Sequence, residues 1–125
     1  MDAIGGLDAI TIDCADPLAL GRFWAEVFGT QLESTDGADL QYVDLQAVTG
    51  VPTVRFQRVP EPKTIKNRLH LDVSVTDLDA ACARVEELGG RRLLAEPFAE
   101  YGYAWLVMAD PEGNEFCLVV PPGTG

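Results

Sequence analysis

The chain repeats itself. Residues Ala9–Asp16 (AITIDCAD) align 61 positions on with His70–Asp77 (HLDVSVTD), and the same offset brings Ala19 to Ala80, Glu26 to Glu87, Val27 to Leu88 and Gly29 to Gly90. Near the end of each half, Arg55–Val59 (RFQRV) aligns at an offset of 60 with Glu115–Val119 (EFCLV). Few residues are identical, but residue type and the order of elements agree throughout. Whatever supersecondary unit the first half forms, the second must form as well. The 125 residues therefore read as one domain of two modules, 7–60 and 68–121, joined by a linker at 61–67.

Each module opens on strict alternation. Ile10, Ile12 and Cys14 point one way and Thr11 and Asp13 the other; later, Leu71, Val73 and Val75 oppose His70, Asp72 and Ser74. A helix follows each strand. Asp16 is a good N-cap, Pro17 suits the first helical position, and Leu20, Phe23, Trp24, Val27 and Phe28 mark one apolar face before Gly29 stops the helix. The second helix is expected to start near Thr76, with Asp79 completing a partial capping box. Its face is Leu78, Ala81, Cys82, Val85 and Leu88, ending at Gly89 and Gly90. Three strands then complete each module. They are expected at 31–34, 40–45 and 51–59 with a turn at 35–37, and at 91–95, 101–109 and 115–120 with a hairpin turn at 110–114. The order βαβββ, twice, makes the class α+β, and the duplication predicts two curved half-sheets enclosing a cleft.

Composition narrows the chemistry. The hydrophobic fraction of 47% is that of a globular chain, which at this length buries roughly two-thirds of its unfolded surface. Twenty acidic against nine basic residues give a net charge of −11, which argues against nucleic acid and anionic membranes as partners. A single histidine bars any three-His zinc site or H-E-x-x-H helix within one chain. Cys14, Cys82 and Cys117 are odd in number and widely spaced, which predicts free thiols and a cytoplasmic setting. The N-terminal stretch has early acids and no basic n-region, so no secretory signal is expected, and no run of about 18 apolar residues is present to span a membrane.

If the apolar alternates pack under the helices, the others must share the opposite, concave face: Thr11, Asp13, Arg55, Gln57, His70, Asp72, Glu115 and Cys117. That face is either a binding surface or the solvated side of an antiparallel sheet. Tyr101, Tyr103 and Trp105 alternate on one expected strand and offer either a stacking wall for a flat ligand or a packing surface. Five of the nine basic residues (Arg55, Arg58, Lys63, Lys66 and Arg68) fall within 14 positions. They read as an attractor for a small anion or as a solvated linker held by carboxylates.

The segments Ala15–Pro17, Phe23–Gly29, Leu69–Val73, Asp77–Asp79 and Asp110–Phe116, in this order and spacing, resemble the vicinal oxygen chelate superfamily of glyoxalases, bleomycin resistance proteins and extradiol dioxygenases. Phe56–Lys63 with Lys66–Asp72 is similar, more narrowly, to its glyoxalase-like subfamily. The resemblance implies metal-ligand positions on the opening and closing strands of both modules, here Ala9, Gln57, His70 and Cys117, and it implies a homodimer. Ala9 offers no donor, and Cys117 stands where a glutamate is usual. No metal is therefore favoured; were one present, its ligands would be Gln57, His70 and Cys117 or Glu115, with Asp13 or Asp72 as substitutes.

The expectation is a soluble glyoxalase-like protein that binds a small organic molecule. It would act by sequestration or by metal-free chemistry with His70 as the catalytic residue, because histidine ordinarily changes charge near neutral pH. Thr11, Asp13, Arg55, Gln57, Asp72, Tyr103, Trp105, Glu115 and Cys117 are its expected ligand contacts. The alternatives are a lyase, isomerase or dioxygenase dependent on a divalent metal ion with His70 as one ligand, or a non-catalytic partner of a basic protein.

Overall fold

The first alternating segment forms β1 (Ala9–Cys14), and Asp16 caps the helix α1 (Pro17–Phe28), its carboxylate accepting from the Ala19 N–H at 3.1 Å. Gly29 ends α1 at φ 68°, a left-handed conformation that a Cβ disfavours. The structure, a computed structural model, describes residues 3–33 and 40–123. The chain divides into two compact units, Met1–Pro62 and Lys63–Gly125, each with its own helix and sheet. The class is α+β, with two helices and eight strands in two sheets among the described residues.

In the first unit β2 (Tyr42–Asp44) and β3 (Thr53–Arg58) complete a sheet of order β1-β3-β2. β1 and β3 run parallel, which their long crossover through α1 and β2 makes possible. Leu20, Phe23 and Trp24 of α1 are buried together with Val43, Leu45, Val54 and Phe56 of the sheet side. Gly21 lets the helix lie close: a Cβ there would stand 3.0 Å from Leu32 and 3.2 Å from Val43. The strand expected at 31–34 is reduced, within the described residues, to one bridge between Leu32 and Leu45, flanked by bonds from Glu33 N–H to Asp44 and from Gln46 N–H to Gln31. The expected turn at 35–37 lies outside the described residues. The strand expected from 51 starts instead at Thr53, because Val48 and Val51 bridge across a turn and Pro52 has no N–H to give a ladder.

In the second unit the elements are β4 (Asp72–Ser74), α2 (Leu78–Glu87), β5 (Arg91–Arg92), β6 (Phe98–Glu100), β7 (Tyr103–Ala109) and β8 (Glu115–Val120). The sheet order is β4-β8-β7-β5, with β6 also paired to β7 and β4 parallel to β8. Asp77, not Thr76, caps α2, because its carboxylate accepts the Ala80 N–H at 3.1 Å. Cys82 and Val85 of the helix are buried along with Leu106, Met108, Phe116 and Leu118 of the sheet.

The strand expected over 101–109 is cut short. Tyr101 and Gly102 take φ 52° and 80° and turn the chain between β6 and β7. Tyr101 therefore leaves the aromatic face it was expected to share with Tyr103 and Trp105. The turn at 110–114 is as expected, and Asp110 is its fully buried centre. Neither helix is long and apolar enough to cross a membrane.

Candidate functional site

The closing ladder of the second unit builds the site. Asp72 lies directly opposite Cys117 in the β4–β8 pair, and Cys117 N–H donates to the Leu71 carbonyl at 2.9 Å. His70, two residues before Asp72, falls on the same side of the chain. The ligand atoms of His70, Asp72 and Cys117 all lie within 4.8 Å of one another, and His70 Nε2 is 3.4 Å from Asp72 Oδ1. On the other side of β8, antiparallel β7 sets Val107 opposite Cys117 and Trp105 opposite Val119. Lys66, Asn67, His70, Trp105, Val107, Glu115, Phe116 and Cys117 line a recess of about 200 Å³.

Charge in the recess is already partly committed. Lys66 Nζ donates to Glu115 Oε2 at 2.6 Å, and Asn67 Nδ2 donates to the Glu115 carbonyl at 3.1 Å. The lysine bond is the chief reason that the Glu115 carboxyl is held below its ordinary range. Burial, joined by the charge of Asp72 and a hydrogen bond to it, pushes the Cys117 thiol up to about 11. It is therefore a protonated thiol at neutral pH rather than a nucleophile. Among the described residues none of the three cysteines is in a disulfide, and all three are buried.

The first unit carries the other expected residues. Its ladder sets Thr11 opposite Arg55 and Asp13 opposite Gln57. With Ala9 equivalent to His70, and so Thr11 to Asp72, the counterpart of Cys117 becomes Arg55 at an offset of 62, and Gln57 lies two pairs further on, on the same face. Arg55 is engaged there: Nε and Nη2 donate to the two carboxylate oxygens of Asp44 at 2.8 and 3.0 Å, a bidentate pair across β2 and β3. Glu33 and Tyr42 flank this pair in a shallow depression.

Several of the expected contacts thus converge and others do not. His70, Asp72, Trp105, Glu115 and Cys117 meet in the second unit, whereas Tyr103 faces a different depression shared with Tyr101 and Pro121. Thr11, Asp13, Arg55 and Gln57 share one ladder of the first unit. Sequence reading missed Asp44 as the partner of Arg55 and Phe98 as the partner of Trp105, whose rings stack at 5.4 Å. The alternation of Tyr42-Val43-Asp44 was a usable signal for the first; the second had none, because β6 is short and exposed. Of the five clustered basic residues, Arg55 in β3 and Lys66 in the linker are paired with carboxylates.

Two duplicated modules, each joining a parallel strand pair across a helix and hairpin strands and carrying polar groups on that pair, define the glyoxalase fold. A family model described as the glyoxalase-like domain matches residues 9–119, and the chain belongs to that family. Solved structures of the glyoxalase, bleomycin resistance and dioxygenase superfamily share its fold. A glyoxalase family protein from Bacillus cereus superposes with a TM-score of 0.72 at 16% identity, covering 98% of this chain and 97% of its own. The fosfomycin resistance protein FosX from Mesorhizobium loti gives 0.69 at 17% identity, with coverage of 98% and 97%. A glyoxalase/bleomycin resistance protein/dioxygenase family enzyme from Burkholderia phytofirmans gives 0.64 at 22% identity, with coverage of 90% and 96%. No protein of curated function matches the chain.

Proposed function

We propose that this chain binds a small organic molecule in the recess of its second module, by sequestration or by chemistry that needs no metal. The observation that carries the reading is the recess, where Trp105, Val107 and Phe116 give apolar wall and His70, Asn67 and Lys66 supply polar groups. Its volume of about 200 Å³ is below the ~300–1,000 Å³ of drug-sized sites, so it suits a small molecule or one end of a larger one. Half-exposed His70, beside Asp72, is the group able to exchange a proton with that molecule. An acidic chain of net charge −11 supports a ligand other than nucleic acid or an anionic membrane, and a cytoplasmic, homodimeric protein completes the reading.

The test is a thermal-shift screen of small carbonyl, carboxylate and phosphonate compounds, repeated on Trp105→Ala and His70→Ala. A binder should raise the melting temperature of the parent and fail to do so in Trp105→Ala. Sequestration leaves the compound intact; chemistry consumes it and stops in His70→Ala. Hits that bind both variants as well as the parent would overturn the site. Light scattering reports the homodimer.

The cluster of His70, Asp72 and Cys117 favours a second reading, a metal-dependent lyase, isomerase or dioxygenase. The donor set suits a divalent cation: one nitrogen, one oxygen and one sulfur atom, all within 4.8 Å of one another. Glu115 is less suited, being taken by Lys66. What such an ion supplies is polarisation of a substrate oxygen. Trp105 and Asn67 would orient the substrate beside it.

A further inference from the structure

We infer that the tip of the β6–β7 hairpin holds a second site, for a small alkylated ammonium cation. It is independent of the recess and of either reading of that recess. Three observations carry it. First, the ladder sets Glu100 directly opposite Tyr103, so their side chains stand side by side, and Tyr101 and Gly102 turn the chain between them. The tail at 120–123 forms the other wall of a depression of about 460 Å³, and it approaches so near that a Cβ on Gly102 would stand 3.3 Å from Pro122.

Next, the aromatic surface is placed against local preference. Tyr101 takes φ 52°, the one non-glycine residue at positive φ among the described residues, in a two-residue turn where asparagine is favoured. It is 88% exposed and makes no ring contact among the described residues, so core packing does not explain a bulky aromatic there. Tyr103 is also exposed. Third, Glu100 has no ion pair or side-chain hydrogen bond among the described residues, and no basic residue lines the depression. Two phenol faces beside a free carboxylate complement an organic cation, because the negative face of each ring attracts positive charge. An alkylated ammonium fits best: it gives up water readily and needs no hydrogen-bond acceptor at every side. The net charge of −11 adds long-range attraction for it.

The experiment titrates the full chain with choline, tetramethylammonium and 3,3-dimethyl-1-butanol, the uncharged isostere of choline, followed by amide NMR shifts. Both cations should bind with dissociation constants of roughly millimolar order, and the alcohol at least about fivefold more weakly. The shifts should cluster at 99–104 and 120–123 and spare 66–70. Tyr103→Leu and Glu100→Gln should each weaken choline about threefold or more. Tyr101→Gly should weaken it similarly while the melting temperature holds or rises, since glycine adopts φ 52° without strain.

Equal binding of the alcohol and choline would overturn the inference, as would affinity for choline that none of the three substitutions changes. So would shifts centred on the recess, or no binding of either cation up to roughly 50 mM. Organic-ligand binding by the recess is scored separately, in the thermal-shift screen on Trp105→Ala and His70→Ala, so either site can fail without the other.

Discussion

Asp110→Ala should cost about 3 kcal/mol. The side chain is fully buried at the centre of the turn joining β7 to β8. Oδ1 accepts the backbone N–H groups of Glu112 and Asn114, each at 2.9 Å, and Asn114 Nδ2 donates to Oδ1 at 3.2 Å and to Oδ2 at 2.9 Å. Alanine strands two backbone donors and one amide. A hydrogen bond to a charged acceptor contributes about 1.5–3 kcal/mol, but these donors are only half-buried, so water recovers part and ~1 kcal/mol each is the reasonable loss. For a chain of this length the sum corresponds to a fall of about 10 °C in melting temperature.

Asp110→Asn keeps one oxygen for both backbone donors but points an amide at Asn114, so ~1 kcal/mol is expected. Urea denaturation of the three proteins by linear extrapolation measures both values. An alanine cost below ~1 kcal/mol, or an asparagine cost equal to it, would refute the hydrogen-bond reasoning. The turn matters for the site because it holds the register that sets Val107 opposite Cys117.

Gly90→Ala should destabilise by more than about 2 kcal/mol, since its Cβ would stand 2.6 Å from Val85 Cγ1 and 2.9 Å from the Ala109 carbonyl, a backbone atom that cannot swing aside. Gly29→Ala meets open space and strains only φ, so about 1 kcal/mol is expected; equal costs in urea melts would contradict this. In the metal-free protein Cys117, with its thiol near 11 rather than 9.0, should alkylate at pH 8 about a hundredfold more slowly than in the unfolded chain. Its thiolate forms only as pH climbs towards 11, so rapid native-state labelling at pH 8, read by mass spectrometry, would count against the burial argument. Glu115, whose carboxyl Lys66 lowers from 4.5, contributes stability that is complete above its unfolded value and lost as pH falls through the depressed folded one. Lys66→Met should return the Glu115 titration, followed by NMR, towards 4.5; an unmoved titration would dissociate the pair.

Much of the fold was legible because its signals are local. Asp16 and Pro17 start a helix and Gly29 stops it through interactions spanning at most four residues, and the structure shows each of them. Period-two alternation assigned Val54, Phe56, Phe116 and Leu118 to the buried side, where they lie. The errors fall where a local rule meets a competitor. Thr76 and Asp77 are adjacent plausible caps, and only hydrogen-bond geometry selects Asp77. Tyr101 looked like strand because aromatic residues favour strands, yet Gly102 beside it makes a two-residue turn at lower cost. For the site, His70, Asp72 and Cys117 were legible as sharing one face, with Asp72 an expected ligand contact and a substitute only as a metal ligand. What the sequence did not give is its pairing directly opposite Cys117 across a parallel ladder, 45 residues apart in sequence.

The duplication was written in the order of residues, and with it the α+β class, two helices with the cap of the first, and the side that most strand residues occupy. These depend on backbone geometry repeated every two or 3.6 residues, which a linear string carries. Register and partnership needed the folded chain. The opening strands align at one offset, yet the ladders place Arg55, not Gln57, in the counterpart position to Cys117. Asp44 takes that arginine, and Lys66 takes Glu115 from 49 residues away. Such pairings rest on distances between segments remote in sequence, where several carboxylates compete for each cation and only packing chooses among them. That choice turns the second module's share of a duplicated site into a cluster of histidine, aspartate and cysteine, and leaves the first with an internal ion pair.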